Sequence, residues 1–303
     1  MKLISFTKNG KTRAGVIKGK EGIVDLGDHF SSLLAIIEGG GRALARVRKI
    51  SQEERPSLQL AEAELLAPIP VPRRNVFCVG WNYHKHFEEG VGKRGAYERT
   101  LPKHPTFFTK PTTAVNAPYG VIPIDPAFST RFDYEVELAV VIKKEGRSIP
   151  LEEASDYIFG YLVANDISAR DIQQRHGGQW LKGKAMDGSC PMGPWITTAD
   201  EIPDPQDLTL QCFVNGEKRQ DGSSKEMIFS VNRIISELSF GMTLLPGDLI
   251  LTGTPDGVGA GRDPEVFLKE GDRLITSISG LGELRHTLGL QPLASPGKKL
   301  PLA

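Results

Sequence analysis

Two glutamates separated by a single residue, Glu135 and Glu137, stand in the run Phe132–Ile142, which reads as a β-strand. Alternate side chains of a strand share a face, so the two carboxylates point the same way, roughly 6 to 7 Å apart. Tyr134, Val136 and Leu138 take the opposite face. Beyond Leu138 the run is apolar on both faces, as in a strand entering a core, where neighbouring like charges are costly unless a cation separates them. An isolated Glu-x-Glu is most often a solvated face. Here a third acid, Asp166, ends another strongly apolar run, Phe159–Asp166, and shifts that balance. Three carboxylates offer hard oxygen ligands, which suit Mg²⁺, with Mn²⁺ or Ca²⁺ as alternatives, and not zinc. Mg²⁺ keeps several of its positions for water, and an open edge of that kind can take a pair of substrate oxygens.

Three further groupings have chemical content. His86 and Glu89 are three apart in a stretch with helical composition, which makes them neighbours on one face. An imidazole oriented by a carboxylate is a general base for activating water, although such a pair on a polar helix is commonly a solvated ion pair. His84, two residues earlier, points elsewhere on a helix. In Leu181–Pro194 a lysine among small and apolar residues would be desolvated, which lowers its pKa and suits proton donation to an enolate; the plainer reading is a loop lysine in water. In Leu251–Gly261 the glycines suggest a phosphate loop, but no Gly-Lys-Ser/Thr follows and no helix begins there. Its backbone amides and the Thr254 hydroxyl suit a substrate carboxylate instead.

The elements that must position these residues are short. Gly and Pro are plentiful (33 and 21) and brief apolar runs recur between them, which favours a β-rich domain over a helical bundle. Residues 1–66 read as a separate small unit: strands at Leu3–Phe6, Ala14–Lys18 and Gly22–Leu26, a hairpin turn at Asn9-Gly10, and helical spacing over Ser31–Glu38 and Arg42–Ile50. The Pro-rich Ala67–Pro72 marks the boundary of a catalytic domain spanning 67–290. Within it a strand at Asn75–Gly80 leads to Asn82, expected to cap the helix that bears His86. Gly90–His104 has little periodic pattern and reads as a mobile lid, and 291–303 as a flexible tail. A helix from Asp166 onwards would set Asp166, Arg170 and Gln173 on one side.

Composition excludes several classes of function. Basic and acidic residues balance at 37 each, so there is no electrostatic footprint for nucleic acid or an anionic membrane. No segment approaches a membrane span or a signal peptide, which leads to the expectation of a cytoplasmic protein. Cys78, Cys190 and Cys212 are odd in number and widely spaced, which argues against a disulfide framework and for small buried apolar residues.

Taken together the blocks resemble the fumarylacetoacetate hydrolase family over roughly Pro68–Gly289. The blocks are Gly80-Trp81-Asn82-Tyr83 with His86 and Glu89, Asp133–Ala139, Asn165–Asp171, Cys190–Pro194 and Thr252–Gly259. Each alone is weak and their order is specific. The resemblance implies an α+β, β-rich fold, a mixed β-sandwich roll with a small N-terminal α/β appendage, usually a homodimer, holding Mg²⁺ or a similar ion. It assigns Glu135, Glu137 and Asp166 to the metal, and His86 and Glu89 to the dyad. Lys184 becomes the active-site lysine, and Lys110, Arg170, Gln173 and Thr254 fall around the substrate carboxylate.

The implied activity is cleavage of a carbon–carbon bond in a small 2-oxo acid, as in oxaloacetate decarboxylation or acylpyruvate hydrolysis, through an enolate held at the metal. Isomerisation of 2-hydroxy-diene-dioates through the same enolate is the alternative within the family. A dicarboxylate-binding protein without turnover is the alternative outside enzymology, and an intact His86–Glu89 pair speaks against it, since a pure sensor needs no general base.

Overall fold

The computed structural model of the chain describes residues 1–92 and 100–291. Strands β1 (Lys2–Lys8) and β2 (Lys11–Lys18) form a hairpin through Asn9 and Gly10, both at positive φ (52° and 70°), as a two-residue turn of this hand requires. β3 (Gly22–Asp25) pairs with β2, and helices α1 (Leu33–Glu38) and α2 (Gly40–Glu53) follow. The Ser32 side chain caps α1 by accepting the Ala35 N–H. Leu33, Ile36 and Ile37 of α1 and Ala43, Val47 and Ile50 of α2 are the buried positions, spaced as one helical face requires.

The chain then runs through β4 (Val76–Gly80), α3 (His84–Glu89), β5 (Thr106–Lys110), β6 (Tyr119–Ile124), β7 (Val136–Ile142) and β8 (Ile158–Asn165). Two short helices, α4 (Arg170–Arg175) and α5 (Leu181–Lys184), precede β9 (Cys190–Thr198). β10 (Thr209–Val214) and β11 (Glu217–Ser223) form a hairpin at Asn215-Gly216, and α6 (Val231–Ser239), β12 (Leu249–Leu251), β13 (Arg273–Ile278) and β14 (Gly282–Leu290) follow.

Twelve of the described strands make one sheet, with the main path Leu58–Gln59, β3, β2, β1, β9, β8, β7, β12, β4, β5. A second sheet of five runs β11, β10, β13, β14, β6. Both are mixed, with parallel pairs at β12–β4 and β14–β6. This is the β-rich mixed architecture expected. Strand β7 lies at the centre and is buried along its whole length. Its even-numbered residues, Val136, Leu138 and Val140, pack in a core with Leu210 and Cys212 of β10 and Leu274 and Ile278 of β13. Ala139 and Val141, on the face that carries Glu137, pack in another core with Leu3, Val16, Ile36, Ile37 and Val47.

The N-terminal segment is therefore continuous with the rest. Leu3 pairs with Ile196 of β9, and the helices α1 and α2 share a core with the glutamate strand, so the turn of composition near residue 66 is not an edge of the sheet. Asn82 is not a helix cap either: α3 is preceded by Tyr83, with no side-chain cap, and Asn82 is a buried strut. Its Nδ2 donates to the Phe229 and Thr252 carbonyls and its Oδ1 accepts the Phe229 N–H. Asp166 lies outside helical structure, between β8 and a two-residue strand at Ser168–Ala169. Residues 93–99 of the expected lid and 292–303 of the expected tail lie outside the described residues. Among the described residues no helix is long and apolar enough to cross a membrane.

Candidate metal centre and active site

Antiparallel pairing of β7 with β8 sets Val136 opposite Asn165 and Glu137 opposite Ala164, so the end of β8 delivers Asp166 beside the two glutamates. The junction is tied by Asp166 N–H donating to the Glu135 carbonyl (2.9 Å) and by Glu135 N–H donating to Asn165 Oδ1 (3.0 Å). The three carboxylates are buried, and one oxygen from each lies within 4.8 Å of the others.

Cations balance part of this charge. Lys184 Nζ donates to Glu135 Oε2 and Asp166 Oδ2, each at 2.8 Å. Arg170 Nη2 stands 2.7 Å from Glu135 Oε1, close enough for an ion pair though not aligned as a hydrogen bond. Burial opposes ionisation of Glu135, but Lys184 and Arg170 outweigh it and hold its pKa down at about 2. Glu137 has no such partner among the described residues; its Oε2 accepts only the Gly253 N–H, at 2.7 Å. Burial, with Asp166 and Glu135 alongside, pushes the Glu137 carboxyl well above the usual carboxylate range. A buried acid crowded by two others and lacking a cation is what a divalent ion would relieve, and the all-oxygen donor set fits a hard one.

The lysine differs from the sequence-based expectation. Burial would lower the Lys184 ammonium, yet Asp166 and Glu135 outweigh it and the pKa is raised. Lys110 differs as well. It is fully buried, donates to Asp166 Oδ1 (2.7 Å) and the Ile167 carbonyl (3.1 Å), and is not among the residues that line the pocket, so it supports that acid from behind.

His86 Nδ1 meets Glu89 Oε1 at 2.7 Å on α3, and Glu89 Oε2 accepts the Gly257 N–H at 2.7 Å. A side chain at Gly257 would put its Cβ 2.1 Å from the Arg219 carbonyl oxygen, and φ is +99°, so only glycine lets this amide reach the dyad. The loop amides thus serve the protein's own acids: Gly253 holds Glu137, Gly257 holds Glu89, and Gly259 and Ala260 hold Asp133. Asp133 in turn accepts Arg170 Nε at 2.8 Å and fixes that guanidinium. Asp133, Asn165 and Gln220 were not singled out from sequence as parts of the site. Their positions inside the recognised blocks, or on a strand far away in the chain, gave no separate signal.

A pocket opens beside Glu135 and Glu137. Its polar side is formed by Glu135, Glu137, Lys184, Arg170, Gln173, His86 and Thr254. Trp81, Phe108 and Trp180 form an aromatic side, with Trp81 and Trp180 ring centroids 4.6 Å apart. Trp81 holds φ at +53°, an uncommon backbone state for a bulky residue that recurs at functional sites. Gly80 makes room for Trp180, whose ring lies 2.2 Å from where a Cβ would be. The three cysteines are buried; burial raises all their thiols, Cys190 to about 12, and they take no part in the site.

The sequence profile described as fumarylacetoacetate (FAA) hydrolase C-terminal matches residues 75–289. The chain belongs to the fumarylacetoacetate hydrolase family. It is 40% identical over 280 residues to oxaloacetate tautomerase YisK of Bacillus subtilis, covering 90% of this chain and 91% of that protein. It is also 40% identical over 252 residues to the human mitochondrial oxaloacetate tautomerase FAHD2A, covering 83% of this chain and 77% of that one. Among solved structures of the family, maleylpyruvate hydrolase from Sphingobium sp. SYK-6, in complex with manganese(II) and pyruvate, superposes with a TM-score of 0.78 at 29% identity, over 96% of this chain and all of that one. A fumarylacetoacetate hydrolase from Exiguobacterium antarcticum gives 0.79 at 37% identity, with 96% and 100% covered. As a member of this family the protein is an enzyme, and its acids, dyad and lysine are gathered as an enzyme's would be.

Proposed function

We propose that the enzyme moves a proton on a small 2-oxo acid, interconverting the keto and enol forms of oxaloacetate or a close analogue. One observation carries the reading: Lys184, a buried ammonium on the pocket wall, lies 2.8 Å from both Glu135 and Asp166, and His86 lines the same pocket. The tautomerases among its relatives support oxaloacetate as the substrate.

Enolisation removes a proton from C3 while negative charge gathers on the C2 oxygen, and protonation of that oxygen completes the enol; the reverse order returns the keto form. With Nδ1 committed to Glu89, proton exchange falls to Nε2 of His86. The Gly257 amide keeps Glu89, and through it the imidazole, in one orientation. Lys184 stabilises the developing enolate by its charge and by hydrogen bonding. Arg170, Gln173 and Thr254 receive the substrate carboxylate. A Mg²⁺ or Mn²⁺ ion held by Glu135, Glu137 and Asp166 would supply Lewis-acid polarisation of the carboxylate and 2-oxo oxygens.

The His86–Glu89 pair also favours a second reading, in which it activates water to attack the C4 ketone of a 2,4-dioxo acid, releasing pyruvate and a second acid. Decay of the oxaloacetate enol absorbance, with Mg²⁺ or Mn²⁺, tests the first reading, and pyruvate release from acetylpyruvate or fumarylpyruvate tests the second. Acceleration of enol decay is expected. No acceleration, with no pyruvate from either dioxo acid or from oxaloacetate, overturns both. Assembly as a homodimer belongs to the same proposal and is checked by sedimentation.

A further inference from the structure

Gln220 stands on β11 in the second sheet, 1% exposed, and its side chain reaches across to the site. Its Oε1 accepts the Val136 N–H at 2.9 Å, which settles the orientation of the amide, because a backbone donor must meet oxygen. Nε2 then faces the Thr254 hydroxyl at 2.8 Å and the Pro255 carbonyl at 2.9 Å. An amide nitrogen only donates, so Thr254 Oγ1 is the acceptor in that contact and its own proton points elsewhere. Thr254 is 2% exposed and lines the pocket, and among the described residues no other group accepts that proton.

We infer that Gln220 is a positioning residue that fixes the polarity of Thr254, holding its hydroxyl as a donor aimed into the pocket for an anionic oxygen of the substrate. A rotating hydroxyl serves as donor or acceptor alike; one whose lone pair is already occupied is pre-organised for a carboxylate, which can only accept. The nature of the ligand rests on the reading above, an anionic 2-oxo acid. The assignment of Gln220 rests on hydrogen-bond geometry alone.

The experiment is a coupling measurement on Thr254→Val, Gln220→Met and the double variant. Affinity for oxalate is read by calorimetry in the presence of Mn²⁺, beside KM and kcat for the best 2-oxo acid. Loss of one hydrogen bond to a charged group predicts that Thr254→Val weakens oxalate binding and raises KM about 10-fold or more, with kcat within about threefold. Gln220→Met is expected to cost about three- to tenfold on its own and nothing further in the Thr254→Val background. Unchanged affinity in Thr254→Val, losses that multiply in the double variant, or a wild-type protein that does not bind oxalate would each overturn the assignment. Should Gln220→Met fail to fold, Gln220→Glu keeps the acceptor for Val136. Its effect must then be at least about threefold larger with Thr254 than with valine there, a ratio that cancels the added charge. Oxalate binding needs no turnover. An inert protein with coupled affinities would therefore discard the proposed reaction and keep Gln220, and an active one with uncoupled variants would do the reverse.

Discussion

Glu89 is anchored to Gly257, whose backbone N–H it accepts at 2.7 Å from 168 residues along the chain, while its other oxygen meets His86. The dyad is thus oriented by the sheet side of the pocket as well as by its own helix. Glu89→Gln should cut turnover roughly 10- to 100-fold and His86→Ala roughly 100-fold or more, because a positioned base contributes about that much. Mn²⁺ affinity, read by electron paramagnetic resonance, should stay within about threefold in both. A metal affinity that collapses with the rate would move the dyad from proton transfer to the metal site.

Lys110 holds Asp166 from behind, so its loss should be felt by the metal before the substrate. Without it the Asp166 carboxylate has Lys184 as its remaining ammonium and turns towards it. Lys110→Met should weaken Mn²⁺ binding about 10- to 100-fold, as removal of a ligand's supporting partner commonly does, with substrate KM little changed at saturating metal. The opposite pattern, a raised KM with normal metal affinity, would restore Lys110 to the substrate.

Asn82 joins three strangers in sequence: the strand end at Thr252, the loop at Phe229 and the start of the dyad helix. Asn82→Ala leaves a buried N–H and two buried carbonyls without their partner, a loss of about 2 to 4 kcal/mol in urea unfolding. Asn82→Asp keeps the acceptor for Phe229 but loses the donors, and should also be destabilised. A change under about 0.5 kcal/mol in Asn82→Ala would show that water replaces the strut.

His286, on β14, is buried with Nε2 at 2.9 Å from the Ala117 carbonyl, and burial lowers its pKa from 6.5 to about 4. The unfolded chain therefore takes up this proton first as the pH falls. The stability contribution is complete above pH 6.5, declines between 6.5 and 4, and is fully lost below 4, at most about 3 kcal/mol in all. His286→Gln, which keeps a donor for Ala117 and does not titrate, should flatten that part of the stability profile. An unaltered pH profile in the variant would assign the acid sensitivity to other groups.

What could be read from sequence followed local periodicity. The shared face of Glu135 and Glu137 needs only the alternation of a strand, and the meander with its Asn9-Gly10 turn needs only turn chemistry. The convergence of Asp166 on them needs the register of β7 against β8, which belongs to a pairing and not to either strand. The two lysines show the limit most clearly. A burial argument predicts a lowered pKa for Lys184, but the sign is reversed by two carboxylates that arrive from other elements. Lys110 sits near the substrate along the chain of motifs and yet lies behind Asp166 in space, a distinction of a few ångströms that only packing decides. The glycine loop likewise reads as a cradle for a foreign anion, and its amides turn out to be occupied by Glu137, Glu89 and Asp133.

The zipping of Leu3 onto Ile196 gives the first strand a protective duty. A chain trimmed to begin at Pro68 would leave β9 with a bare row of amides and carbonyls, the kind of border that recruits a neighbouring copy. It would also strip the oily flank beneath Ala139 and Val141, two and four residues along from Glu137. Shortened versions made for crystallisation or biotechnology would clump before they lost their chemistry, unless some other cover were supplied for that border.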